Sequence, residues 1–259
     1  MTVICPENMV EFAKNDSHFH RRRRALLSRI HRRYPTITEQ IGFGEITIEF
    51  TRIADPDRVL DDVVAEEDRR EKTTGVRLAD PPHLPYWAEL WDSAAVLARR
   101  FSREKILPDA HVLDLGCGMG LAGAAAAAMG ARVLLGDLET TPLLLARLNT
   151  LPYADRADVR RLDWRVDRLD KQFDIILGSD IVYEKSQWAF LEPFFQIHLA
   201  PGGKILLGEP HRQTGQLFIP WIEQRNWQVT ESNETALDAK RIRILELRRE
   251  PLMTKENAI

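Results

Sequence analysis

Val112-Leu113-Asp114-Leu115-Gly116-Cys117-Gly118-Met119-Gly120 is a short apolar run that breaks into three alternating glycines and leads into an alanine-rich segment, 121–129. A strand that turns through glycines into a helix is a loop built to hold a ligand. Glycine permits positive φ and lets a ligand approach the backbone. The N–H groups at the start of the helix can hold a carboxylate or a phosphate. The next acid at a strand end is Asp137, in Leu134-Leu135-Gly136-Asp137, seventeen residues past Gly120. That is the reach of a carboxylate that binds ribose hydroxyls, and the adjoining Leu138 belongs to the same strand-end turn. Gly118, Gly120 and Gly123 also satisfy the dinucleotide pattern G-x-G-x-x-G, so a nicotinamide-binding fold is the rival reading of this loop.

On either side of the loop the hydrophobic pattern alternates strand with helix. Downstream, strands are expected at 132–135, 159–162, 173–177 and 204–207, with helices at 142–149, 187–199 and 217–224 between or after them. Residues 201–203, Pro-Gly-Gly, are expected to turn. Segments 227–231 and 242–247 close the pattern as an antiparallel pair. Upstream, 86–101 is expected to be one helix. The result is an α/β fold: a Rossmann-like, seven-stranded, mostly parallel sheet with helices on both faces. Ligands in such sheets bind outside the carboxyl ends of the strands, so the chemistry is expected there.

Those strand ends are distinctive. Leu162-Asp163-Trp164 follows the third strand, Ser179-Asp180-Ile181-Val182-Tyr183 the fourth and Gly208-Glu209-Pro210-His211 the fifth; Trp91-Asp92-Ser93 precedes the glycine loop. An acid two residues before the first glycine, Asp114, resembles motif I of the class I S-adenosylmethionine (SAM) methyltransferases. Together these elements resemble the seven-β-strand protein lysine methyltransferase family over about 86–211. Within it they look closest to the branch of the electron-transfer-flavoprotein β-subunit lysine methyltransferase.

The resemblance implies SAM as cofactor, S-adenosylhomocysteine as product and transfer to a protein lysine. It implies that Trp91 packs near the methionine part of the cofactor and that Asp114 helps anchor its amino-acid end. Gly116, Cys117, Gly118 and Gly120 would form the backbone cradle, with Asp137 and Leu138 at the ribose. Asp163 and Trp164 would meet the adenine, and Ser179 would lie under the cofactor. Asp180 and Tyr183 would face the acceptor amine, a carboxylate to orient it and an aromatic wall beside it. Each has a structural alternative: Asp137 as a helix cap, Trp91 and Trp164 as packing residues, Asp180 and Tyr183 as turn residues. Glu209 and His211 are candidate substrate contacts; His211 departs from the branch, which usually has glycine there.

The rest of the chain is less specific. The 259 residues carry a net charge of −3, so bulk charge does not mark a polyanion binder. Cys5 and Cys117 have neither disulfide nor zinc spacing, and no metal site is expected. A reducing, cytoplasmic setting is expected, with no signal peptide and no membrane span. Residues 17–34 form a basic helix ended by Pro35, and 43–53 alternate as one strand. Residues 56–72 form an acid-rich helix capped by Asp55. The expected division is an extension over 1–75, a catalytic domain over 76–250 and a tail over 251–259. The basic segment 20–33 would face phosphates, an acidic partner or the chain's own acidic helix. A small molecule or an RNA is the alternative acceptor, and a non-catalytic SAM-binding module the alternative role. Asp80-Pro81-Pro82 resembles the D-P-P-aromatic signature of amino-methylating nucleic-acid enzymes, but His83 replaces the aromatic residue and the position after strand four reads otherwise.

Overall fold

The computed structural model describes residues 6–75, 84–104, 109–236 and 239–249, with side chains from residue 17 onward. Cys5, Asp80-Pro81-Pro82 and the tail over 251–259 lie outside them.

Seven strands form one sheet: β3 (His111–Leu115), β4 (Arg132–Asp137), β5 (Ala157–Arg161), β6 (Phe173–Ser179), β7 (Leu199–Glu209), β8 (Trp227–Thr235) and β9 (Arg241–Arg249). Their order is β5-β4-β3-β6-β7-β9-β8. The first five are parallel, and β9 runs antiparallel to both β7 and β8. The chain leaves β3 toward β4 and later returns on its other side to β6. The end of β3 is therefore the switch point, where a crevice opens.

Alternate residues of each central strand face opposite layers. Leu113, Leu134, Ile176 and Leu207 join one core with α6 (Lys185–His198) and α7 (Gln213–Glu223). Val112, Val133, Leu177 and Leu206 join the other, against α3 (Asp92–Ser102), α4 (Leu121–Ala128) and α5 (Thr140–Asn149). A third layer lies outside those helices. It is made by α1 (Pro6–His31), the hairpin β1 (Thr36–Phe43) and β2 (Ile46–Ile53), and α2 (Pro56–Thr74). Ile30, Tyr34, Phe43, Phe50 and Val59 bury themselves against Met119, Leu121, Ala124, Leu145 and Leu148. This explains the alanine run of α4: a helix covered on both sides has room only for small side chains.

One side chain brackets the outer layer to the glycine loop. Asn149, buried at the end of α5, accepts from Thr51 N (2.8 Å) and donates to Thr51 O (3.0 Å) and Met119 O (2.9 Å). On α1, Arg23 pairs with Glu49 of the hairpin at 2.7 Å, while the Arg69–Glu66 pair of α2 is internal to that helix. Asp55 caps α2 through Arg58 N, as its sequence predicts.

Three local expectations are corrected. Residues 43–53 are not one strand but the turn and second arm of a hairpin; Gly44, at φ 63°, makes the turn. The first arm has only Phe43 buried, so it carried little periodic signal. Residues 86–101 are not one helix: a single 3₁₀ turn (Tyr86–Ala88) precedes α3, with Trp91 as its N-cap residue. Residues 201–203 do not separate helix from strand. They form a bulge inside β7, where Phe173 pairs with Leu199 but Ile175 pairs with Lys204.

His198, fully buried on α6, donates from Nδ1 to Phe194 O (2.7 Å) and accepts from Leu169 N at Nε2 (2.9 Å). The bond from Leu169 N needs the neutral ring, since a protonated Nε2 cannot accept, and burial lowers the ring's pKa from the ordinary histidine value. The unfolded state therefore takes up the proton first. Stability contributed by neutral His198 is complete above about pH 6.5 and is lost as pH falls below it. Urea unfolding at pH 7.5 and 5.5 will show this loss, and a His198→Gln protein will show a smaller one.

Candidate active site

A cavity of about 240 Å³ opens at the end of β3. Its floor is the glycine loop. A Cβ on Gly116 would stand 2.7 Å from Ile181 Cγ2 and 3.6 Å from Trp164 Cζ3, so any side chain there collides with the cavity wall. On Gly118, at φ 52°, it would meet nothing nearer than Trp87 O at 4.0 Å. The loop therefore presents bare backbone to open space. Gly120 and Cys117 complete the floor; burial pushes the Cys117 thiol well above its ordinary value, so it is no nucleophile.

Asp137, at the end of β4, accepts from Gly118 N (2.8 Å) and from Glu139 N (2.9 Å). It fixes the loop and starts the turn into α5 while lining the cavity beside Leu138. Asp163 and Trp164 line the same end. Asp163 is held in a two-point pair with Arg165 (2.9 and 2.7 Å), which lowers its pKa, and Trp164 Nε1 donates to Gln187 Oε1 (3.2 Å). Ser179 also lines the cavity. Its buried hydroxyl has no partner among the described residues, an orphaned donor and acceptor that a ligand would satisfy.

At the far end Asp180 is 7% exposed and takes φ 52°, with its N–H donated to Gly208 O (2.7 Å). Tyr183 stands edge-on to Tyr86, 5.6 Å between ring centres. Burial first, then the neighbouring carboxylates, pushes its phenol up to about 12. At neutral pH it is a protonated wall, not a base. Trp91 faces the cavity from its cap position, with Nε1 donated to Tyr86 O (2.8 Å).

Three sequence candidates stand elsewhere. Asp114 lies behind the loop, fully buried, and Oδ2 accepts from Gly123 N on α4 at 2.8 Å. Burial, with Asp137 adding to it and the Gly123 N–H opposing, raises its carboxyl to about 7. It holds the helix to the strand and does not line the cavity. Glu209 faces the other way, into a buried pair with Arg243 (2.8 Å), and also accepts from Arg212 N (2.9 Å). His211 is exposed, at φ 56°, bonded to Asn233 (2.6 Å). The left-handed turn at His211 sends the next residue inward instead. Arg212, not singled out in the sequence, lines the cavity and pairs with both oxygens of Asp180 (3.2 and 2.8 Å). Its only sequence signal was a cation directly after a strand-end Glu-Pro-His.

A seven-stranded sheet of this order, with a bare-backbone loop, a ribose-reach carboxylate and an acid–aromatic pair at one switch point, is the architecture of Rossmann-like methyltransferases. The chain belongs to the lysine methyltransferase family, whose profile matches residues 86–225. Protein N-lysine methyltransferase METTL21A of Xenopus tropicalis is 34% identical over 127 residues, 46% of this chain and 58% of that protein. Histone-arginine methyltransferase METTL23 of Mus musculus is 34% identical over 122 residues, 42% of this chain and 46% of that protein. The chain thus spans about half the length of the curated relatives it matches. Among solved structures, the glycopeptide N-methyltransferase MtfA with S-adenosylhomocysteine shares the fold at TM-score 0.55 and 17% identity, covering 71% of this chain and 97% of that one. No helix among the described residues is long and apolar enough to cross a membrane.

Proposed function

We propose that the chain is a SAM-dependent N-methyltransferase acting on a side-chain amine of a protein, with lysine as the acceptor. The observation that carries this is a single cavity with a loop-and-carboxylate floor at one end and an acid–aromatic pair at the other. Gly116, Cys117, Gly118 and Gly120 would give the cofactor a backbone bed, Asp137 its ribose contact, Asp163 and Trp164 its adenine edge. Ser179 would take up the bond it now lacks. Asp114 supports the bed from behind by anchoring α4. When bound, SAM supplies an electrophilic methyl group as a sulfonium.

The chain's own task is alignment, which alone accounts for much of the rate in such a reaction. Asp180 draws the acceptor cation in, and Tyr86 and Tyr183 wall it toward the cofactor end. Because the Tyr183 phenol stays protonated it does not take the acceptor's proton, which passes to another group of the site or to water. Lysine is favoured over arginine by the family's description, although a similar relative is named for arginine. A cytoplasmic setting suits the free thiol at Cys117. Residues 76–250 would serve as the catalytic unit and 1–75 as an extension.

Calorimetric titration with SAM, with NAD as control, tests the reading. Micromolar SAM binding with none for NAD is expected. Asp137→Ala weakens it at least about tenfold, the scale of one lost charged hydrogen bond. NAD binding in place of SAM returns the loop to the dinucleotide class.

A further inference from the structure

This inference rests on the cavity being an amine-acceptor site. We infer that the Asp180 carboxylate and the Trp91 ring form a subsite for an organic cation, held by the Arg212 guanidinium until an acceptor ammonium displaces it.

The guanidinium touches both parts. It pairs with both Asp180 oxygens, and its carbon stands 5.3 Å from the centre of the Trp91 ring. A carboxylate and an aromatic face together recognise a cation by charge and by quadrupole. All three residues line the cavity, and Tyr183 lines it beside them.

The pair is lopsided. The Asp180 side chain is 5% exposed and that of Arg212 41%. Asp180 is pinned by its own N–H bond to Gly208 O. The Arg212 backbone is anchored at the N-cap of α7 by Glu209, so its long side chain can leave without moving the helix. A departing guanidinium goes into water, where it is well solvated. The carboxylate left behind is buried and costly to leave unpaired. Only another cation can take the vacated place on favourable terms.

Specificity follows. A lysine ammonium or a guanidinium exchanges for Arg212 with no net change of charge in the cavity. An alcohol or thiol offers Asp180 no charge and leaves Arg212 in place. Arg212 is thus a positioning residue that keeps the carboxylate paired between turnovers and excludes neutral acceptors.

The test uses the full chain and n-butylammonium chloride, followed by saturation-transfer NMR. Arg212→Ala is expected to bind it about three- to fivefold tighter than the parent protein, the upper range of one partly exposed ion pair. Arg212→Gln should show the same gain, guarding against a folding defect in the alanine variant. The double variant Arg212→Ala, Asp180→Asn should lose the gain, and 1-butanol should show none. In the parent protein, saturating n-butylammonium should shift the Nε–H signal of Arg212. Equal binding by parent and both single variants, a gain that survives in the double variant, or an unmoved Arg212 signal would overturn the subsite. SAM titration of the same proteins separates the two readings. A butylammonium gain without SAM binding upholds the subsite and sinks the methyltransferase reading; SAM binding without the gain does the reverse.

Discussion

Asp180→Asn is expected to lower turnover on a protein acceptor at least about 100-fold while leaving SAM affinity within about twofold, the range seen when a reactant loses its alignment. Asparagine keeps the size of the side chain and tolerates the left-handed backbone at φ 52°. The bond from residue 180 N to Gly208 O is untouched, so the strand end stays in place. What disappears is the charge that draws a cation to the far end of the cavity, and with it the partner of Arg212. Asp137, Trp164 and Ser179 keep their positions at the other end. Initial rates with labelled SAM on an acceptor-containing lysate, beside calorimetric SAM titration, separate the two effects. Full turnover by Asp180→Asn would remove this residue from the chemistry.

The second large effect is on stability. Arg243→Ala is expected to reduce the unfolding free energy by about 3–5 kcal/mol, the cost of leaving one member of a buried ion pair without the other. The side chains of Arg243 and Glu209 are 7% and 1% exposed, with Nε and Oε1 2.8 Å apart. Burial raises the Glu209 carboxyl, and Arg243 pulls it back; without Arg243 the acid has to protonate or find water. Glu209 also accepts from Arg212 N, and it packs so closely on α7 that a Cβ on Gly215 would lie 2.2 Å from its Oε2. Urea unfolding measures the loss. Replacing both partners, Arg243→Met with Glu209→Leu, should recover much of it, because an apolar pair leaves no charge unpaired. A loss below about 1 kcal/mol for Arg243→Ala would mean that the pair is hydrated and Glu209 remains available for other work.

The strand ends also mark how far the sequence could be read. The glycine loop, the alternation of strand with helix and the acids at strand ends come directly from periodicity and spacing, and the seven-stranded sheet follows from them. Which way a strand-end side chain points does not. Asp114 sits within a strand at a position whose parity carries it under α4, and only the contact with Gly123 reveals that. Glu209 and His211 read as site residues because they stand at the carboxyl end of β7. The positive φ at His211 reverses the chain and hands the cavity to Arg212. Histidine is among the few non-glycine residues enriched in this conformation, and the branch's usual glycine at this position is the mark of it, but neither says which neighbouring side chain the turn sends inward. Trp91 was recognised, but as a helical residue. Across the break after the 3₁₀ turn its indole donates to Tyr86 O, a contact that spacing cannot forecast.

The bracket at Asn149 has a thermodynamic consequence. One amide holds Thr51 of the outer hairpin and Met119 of the cavity floor at once. Motion of either segment strains the same three bonds, so the two are expected to open together, and hydrogen exchange at Thr51 N should slow when a ligand fills the cavity. Whatever reduces the freedom of Met119 from inside the cavity also lowers the entropy that remains to be lost at Thr51, and the exchange runs equally in the other direction. A segment that lies outside the residues matched by the family profile is in this way a party to the free energy of everything that binds within them.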